Sequence, residues 1–227
     1  MKHLNIILFL LMMSVAALAQ TFSKPDYKDI EKQVTDMSSP LHYQKLFARF
    51  QSADSTLTAS EYSYLYYGTL YSDGYSPYAV SKHSAELKPI LAKNGLAPED
   101  IDKLIEVEQK VLADMPFSIR DLNILAFAYS KKGDKQAEER TRRKLFGIIN
   151  AIMSSGDGKT EKTAFHVISV AHEYELLPAL GVRFGGKQSL TDSKCDYLEL
   201  APNEKGIKGL YFDVSAVFNA TAKMFNK

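Results

Sequence analysis

The stretch that decides the fold runs from Pro116 to Met153, PFSIRDLNILAFAYSKKGDKQAEERTRRKLFGIINAIM. It reads as two helices joined by a tight Lys132-Gly133-Asp134 turn. Ser118 is placed to cap the first helix, with Asp121 at the reciprocal position of a shortened capping box. Ile119, Leu122, Leu125, Ala126 and Tyr129 recur at helical spacing and so share a face. Gly133 stops the helix, because glycine takes the left-handed conformation without a Cβ clash. Asp134 caps the second helix, whose apolar side carries Ala137, Leu145, Ile148, Ile149 and Ile152. So short a link folds the two back as an antiparallel hairpin.

Leu122, Leu125, Ala126, Tyr129 and Gly133 resemble the first helix and turn of a tetratricopeptide repeat. The second helix departs from that pattern, with Ala137 one position early and Arg142 where a large apolar residue belongs. A repeat array needs about three stacked units, so a hairpin is expected here and an array is not.

Working outward toward the N-terminus, Pro98-Glu99-Asp100 opens a helix with Ile101, Leu104, Ile105, Val111, Leu112 and Met115 on its buried side. Ala79 to Leu91 is expected to be helical and to end at Asn94-Gly95. Thr58 and Glu61 form a capping box. It opens a run with seven tyrosines between Tyr62 and Tyr78, in which helical spacing sets Tyr64, Tyr67 and Tyr71 along one side. A short helix holds Leu41, Leu46, Phe47 and Phe50, and a first helix is expected over Phe22 to Met37.

After Met153 the grammar changes. Ser154 to Gly158 is a loop, and Thr163 to Ala171 is rich in β-branched and aromatic residues. Further strands are expected at Tyr174 to Leu180, Cys195 to Leu200 and Ile207 to Val214, with Gly185-Gly186 as a loop and Pro202 to Gly206 as a hairpin connection. Ala216 to Phe225 closes the chain as a short helix. The expected class is therefore α+β: N-terminal helical hairpins over about 22–153, then a small antiparallel sheet and a C-terminal helix over about 160–227.

The first 19 residues read as a secretory signal peptide. Lys2 precedes the apolar run Leu4 to Leu18, and Ala17-Leu18-Ala19 fits the small-x-small cleavage rule. Cleavage after Ala19 implies a periplasmic or secreted protein with no stable membrane anchor, folding as one domain over 20–227. The sequence holds 28 basic and 27 acidic residues, and losing Lys2 brings the balance to zero. That excludes long-range attraction to nucleic acid. Cys195 is the single cysteine, so packing rather than an internal disulfide holds the fold.

Pro25-Asp26-Tyr27, Tyr64-Leu65-Tyr66-Tyr67-Gly68, Gly156-Asp157-Gly158, His172-Glu173-Tyr174-Glu175 and Leu210-Tyr211-Phe212-Asp213 together resemble a family of secreted Bacteroidetes proteins catalogued only as a domain of unknown function. The likeness covers the mature chain. It implies a Gram-negative envelope or secreted location and carries no activity, catalytic residue or cofactor.

Two constellations bear on chemistry. His166 and His172, with Glu173 and Glu175, combine imidazole and carboxylate in the manner of zinc sites. On one strand, however, the two histidines would stand ~20 Å apart, too far to share an ion. Cys195 could act as a nucleophile only if one of those histidines met it in space. The second constellation is the tyrosine run: Tyr64, Tyr67, Tyr71 and Tyr75 offer flat rings with polar tips for a ligand. Gly156-Asp157-Gly158-Lys159-Thr160 lacks phosphate-loop spacing, and the basic run Lys131 to Lys144 reads as a solvated helix face. These patterns imply a non-enzymatic binding module for an envelope protein or peptide, without cofactor or metal. The alternative is a small hydrolase or metal-dependent enzyme using His166, His172, Glu173 or Cys195 at the C-terminal sheet.

Overall fold

Local capping signals place most of the helices. In a computed structural model that describes residues 22–93 and 95–225, the helices are α1 (Tyr27–Thr35), α2 (Tyr43–Gln51), α3 (Ala59–Gly68), α4 (Ser84–Leu91), α5 (Pro98–Asp114), α6 (Ile119–Lys132), α7 (Lys135–Met153), α8 (Val170–Ala179) and α9 (Ser215–Phe225). The strands are β1 (Phe165–His166), β2 (Phe184–Leu190), β3 (Cys195–Leu200) and β4 (Gly209–Asp213). The segment read as a signal peptide, and Asn94, lie outside the described residues. Among the described residues no helix is long and apolar enough to cross a membrane.

The central hairpin forms as its sequence dictates. Ser118 Oγ accepts from the Asp121 amide at 3.2 Å, Gly133 sits at φ +80°, and Asp134 accepts from the Ala137 amide at 2.9 Å. At α3 the Thr58–Glu61 capping box closes in both directions. The first helix is shorter than expected because Asp26 caps it, accepting from the amides of Lys28 and Asp29.

The α+β class holds, but the sheet expected to be antiparallel is mixed, in order β1-β4-β3-β2, because the short β1 joins its edge parallel to β4. β3 pairs antiparallel with both β2 and β4, while β1 runs parallel to β4. Three expectations are corrected. The strand expected over Thr163 to Ala171 shrinks to the two residues of β1. Tyr174 to Leu180 belongs to α8 and the turn that follows, because Ser169 caps a helix by accepting from the Ala171 amide. Gly185-Gly186 lies within β2, an exposed edge strand bent by a register shift between Phe184 and Gln188. Such bulged edges need no apolar alternation, since neither face is covered.

The main core joins the helices to the sheet. Ile30, Leu65, Tyr66, Ile148 and Ile152 pack in one cluster with Leu176, Leu198, Leu210 and Phe212. A second cluster binds α4, α5 and α6 through Leu87, Leu104, Val111 and Leu125. Close approach of α3 to α7 requires Gly147, where an added Cβ would fall 2.0 Å from a Tyr62 ring carbon.

Candidate functional site

Where α1, the 3-10 turn Thr69–Tyr71, the following Ser72–Tyr75 loop and α9 meet, they enclose a half-open cavity of about 410 Å³. Tyr27, Tyr71 and Tyr75 contribute aromatic rings, Glu31 and Asp73 carboxylates, and Ser215 and Asn219 neutral polar groups. The ring hydroxyls are already engaged. Tyr71 donates to the Tyr27 carbonyl at 3.0 Å, Tyr75 donates to the Ile168 carbonyl, and the Tyr27 hydroxyl lies 3.2 Å from His166 Nδ1. These bonds fix the rings, so what they present is carbon surface rather than free polar tips. Burial pushes the hydroxyl pKa of all three upward, and they stay neutral at any ordinary pH.

Among the described residues no lysine or arginine lines this cavity. Glu31 and Asp73 are exposed, and neither has a salt-bridge partner among the described residues. The Ser72–Tyr75 loop also lines an adjoining cavity of about 300 Å³, shared with Tyr43, Phe47, Phe117 and His172.

The four tyrosines expected to face a ligand separate. Tyr71 and Tyr75 line the cavity. Tyr64 lies outside its lining and bonds Asp29 of α1, which pushes the phenol pKa up to about 12. Tyr67 is 1% exposed and its hydroxyl sits within reach of the Ala151 and His166 carbonyls, at 3.3 and 3.2 Å. It turns inward because α3 is buried on most sides, with Tyr62, Leu65, Tyr66 and Gly68 covered as well. Sequence reasoning missed Tyr27, Glu31 and Asp73. Tyr27 and Glu31 are one turn apart and share a face of α1, which was the available signal.

The groups weighed for catalysis lie on different elements. His166 is on β1 and His172 on α8, so the single-strand geometry expected for them does not occur. His172 is buried, with Nδ1 2.7 Å from the Tyr66 hydroxyl, and burial lowers its pKa to about 4. His166 Nδ1 lies 3.7 Å from Asp213 Oδ2, and Nε2 is buried without a hydrogen-bond partner among the described residues. Burial also depresses its pKa, with Asp213 opposing. Ser215 Oγ donates to Asp213 Oδ1 at 2.5 Å and not to an imidazole. Cys195 Sγ lies 3.9 Å from the Glu161 carbonyl, and burial raises the thiol pKa. No thiol–imidazole pair forms among the described residues.

Glu173 is fully buried, and neither carboxyl oxygen meets a hydrogen-bond partner among the described residues. Burial first, and the neighbouring Asp196 carboxylate second, raise its pKa to about 9. The group is therefore a neutral acid at pH 7. Among the described residues no three His, Cys, Asp or Glu side chains are grouped so as to hold a metal ion.

A family model described as a domain of unknown function (DUF4919) matches residues 28–223. The chain belongs to this family. The DUF4919 match runs through both helical and sheet parts and takes in Glu31, Tyr71, Asp73, Tyr75, Ser215 and Asn219, leaving only Tyr27 of the cavity groups named above just outside it. No curated protein and no solved structure matches the chain.

Proposed function

We propose that the protein is a non-enzymatic binding module, exported to the periplasm or beyond, that takes a cationic group of a protein or peptide partner into the tyrosine-lined cavity. The export reading rests on the N-terminal sequence, with its basic start, apolar run and Ala17-Leu18-Ala19. The binding reading rests on one observation: three fixed tyrosine rings and two carboxylates line the cavity, with no basic side chain among the described residues that line it. A lysine or arginine side chain gains there from ring quadrupoles and from carboxylate charge together. Each ring contact is worth ~0.5–2 kcal/mol depending on how far the cation is desolvated.

The test is calorimetric titration of the purified protein with a short neutral-capped peptide carrying one central lysine, against the same peptide with norleucine. Saturable binding of the lysine peptide alone, weakened about tenfold in Glu31→Gln and in Asp73→Asn, is the expected result. Equal binding of the norleucine peptide, or affinity indifferent to both substitutions, would overturn the reading.

A further inference from the structure

A second groove, of about 530 Å³, lies where α2, α5, α6 and α7 meet. Its lining is mixed: Phe47 and Phe50 from α2, Leu112 from α5, and Leu122 and Leu125 from α6 supply apolar side chains, of which Phe50, Leu122 and Leu125 are buried, while Gln51, Gln109, Tyr129 and Thr141 supply polar groups. The charged side chains lining it are Arg140 and Lys144. They stand four residues apart on α7 and so are neighbours on one face.

Nearby basic residues on α7 are neutralised. Arg142 pairs with Glu138 at 2.8 Å and Arg143 with Glu139 at 3.2 Å. Arg140 and Lys144 have no carboxylate partner among the described residues. Lys144 Nζ instead donates to the Gln51 carbonyl at 2.8 Å and lies 5.4 Å from the Phe50 ring centre. Burial lowers the Lys144 pKa, and the like charge of Arg140 lowers it further. Two adjacent cations, one of them half-buried against the Phe50 ring and both without a carboxylate partner among the described residues, are a standing electrostatic cost that a bound anion would relieve.

The geometry points to a binding site for a monocarboxylate with an apolar chain, a medium-chain fatty acid, its carboxylate between Arg140 and Lys144 and its chain along Phe47, Phe50, Leu122 and Leu125. The groove volume falls within the ~300–1,000 Å³ typical of small-molecule sites. A bare anion would leave Phe47 and Leu112 of the groove unused. A polyanion such as nucleic acid would ask for more phosphate contacts than two cations supply. This inference is independent of the tyrosine cavity, whose charge is of the opposite sign.

Calorimetry on the purified protein with decanoate, 1-decanol and acetate tests it. Decanoate is expected to bind one saturable site, with decanol and acetate at least about tenfold weaker. Arg140→Gln, at an exposed position, is expected to leave the melting temperature unchanged and to weaken decanoate about tenfold. Lys144→Gln does the same, and Glu31→Gln leaves it unaltered. Absence of saturable decanoate binding, equal affinity for decanol, or unchanged affinity in both α7 variants would overturn the proposal.

Discussion

Replacing Glu173 by glutamine is expected to stabilise the protein, and to do so more strongly as pH rises. The carboxyl is fully buried beside Asp196, and its pKa stands at about 9 against 4.5 for the free side chain. Between those values the folded chain keeps a proton that the unfolded chain releases. Stability attributable to this group is therefore complete below about pH 4.5 and is lost as pH rises toward about 9, at ~1.4 kcal/mol per pH unit. At pH 7 the loss amounts to roughly 3 kcal/mol. Glutamine keeps the shape, offers a neutral donor beside Asp196 and has no proton to release. Urea unfolding of both proteins at pH 5, 6, 7 and 8 measures the difference directly. From pH 6 to pH 8 the variant's advantage should grow by roughly 2–3 kcal/mol, or about 5–10 °C in melting temperature for a chain of this size. A difference that stays constant with pH, or a uniformly less stable variant, would show that Glu173 is ionised in the fold and refute the reasoning.

Glu108, also fully buried, is raised to about 8 by burial and by Asp121. With Glu173 it should make the wild-type melting temperature fall between pH 6.5 and 8, and a flat profile would count against both assignments. Gly147→Ala forces a Cβ into the Tyr62 ring, so a net loss of about 1–2 kcal/mol in urea is expected despite alanine's better helix propensity; a more stable variant would refute the close packing. Thr58→Ala removes the capping box of α3 and should cost about 1 kcal/mol by the same assay. Cys195 should resist iodoacetamide at pH 8 in the folded protein and react on unfolding, because the thiol is buried and its pKa raised. Rapid labelling of the native chain would refute that placement.

The helical part was legible because its signals are local. Ser118, Gly133, Asp134, Thr58 and Glu61 each act within one turn, and the structure uses them as written. The C-terminal third was harder for two physical reasons. In α8, β-branched and aromatic residues masked a helix whose buried positions, His172, Glu173, Leu176 and Leu177, do follow helical spacing. In β2 the strand is exposed along its length, so Phe184-Gly185-Gly186-Lys187 carries no period to read. The candidate site was partly legible. Tyr71 and Tyr75 stood out as tyrosines in a dense run, with Asp73 between them, but Glu31 and Asn219 reach the same cavity from distant segments, and only the tertiary fold brings them together.

Glu175 of α8 accepts from the backbone amides of Ile119 and Arg120 at 3.0 and 3.3 Å, serving two of the open donors at the head of α6. The helical hairpin thus borrows part of its N-terminal cap from a residue 55 or more positions downstream. A fragment ending at Met153 would lose that carboxylate together with the sheet-side half of the main core. In evolutionary terms the hairpin is not a cassette that could be duplicated or transplanted alone, as units of a true repeat array can be. Its second half travels with it.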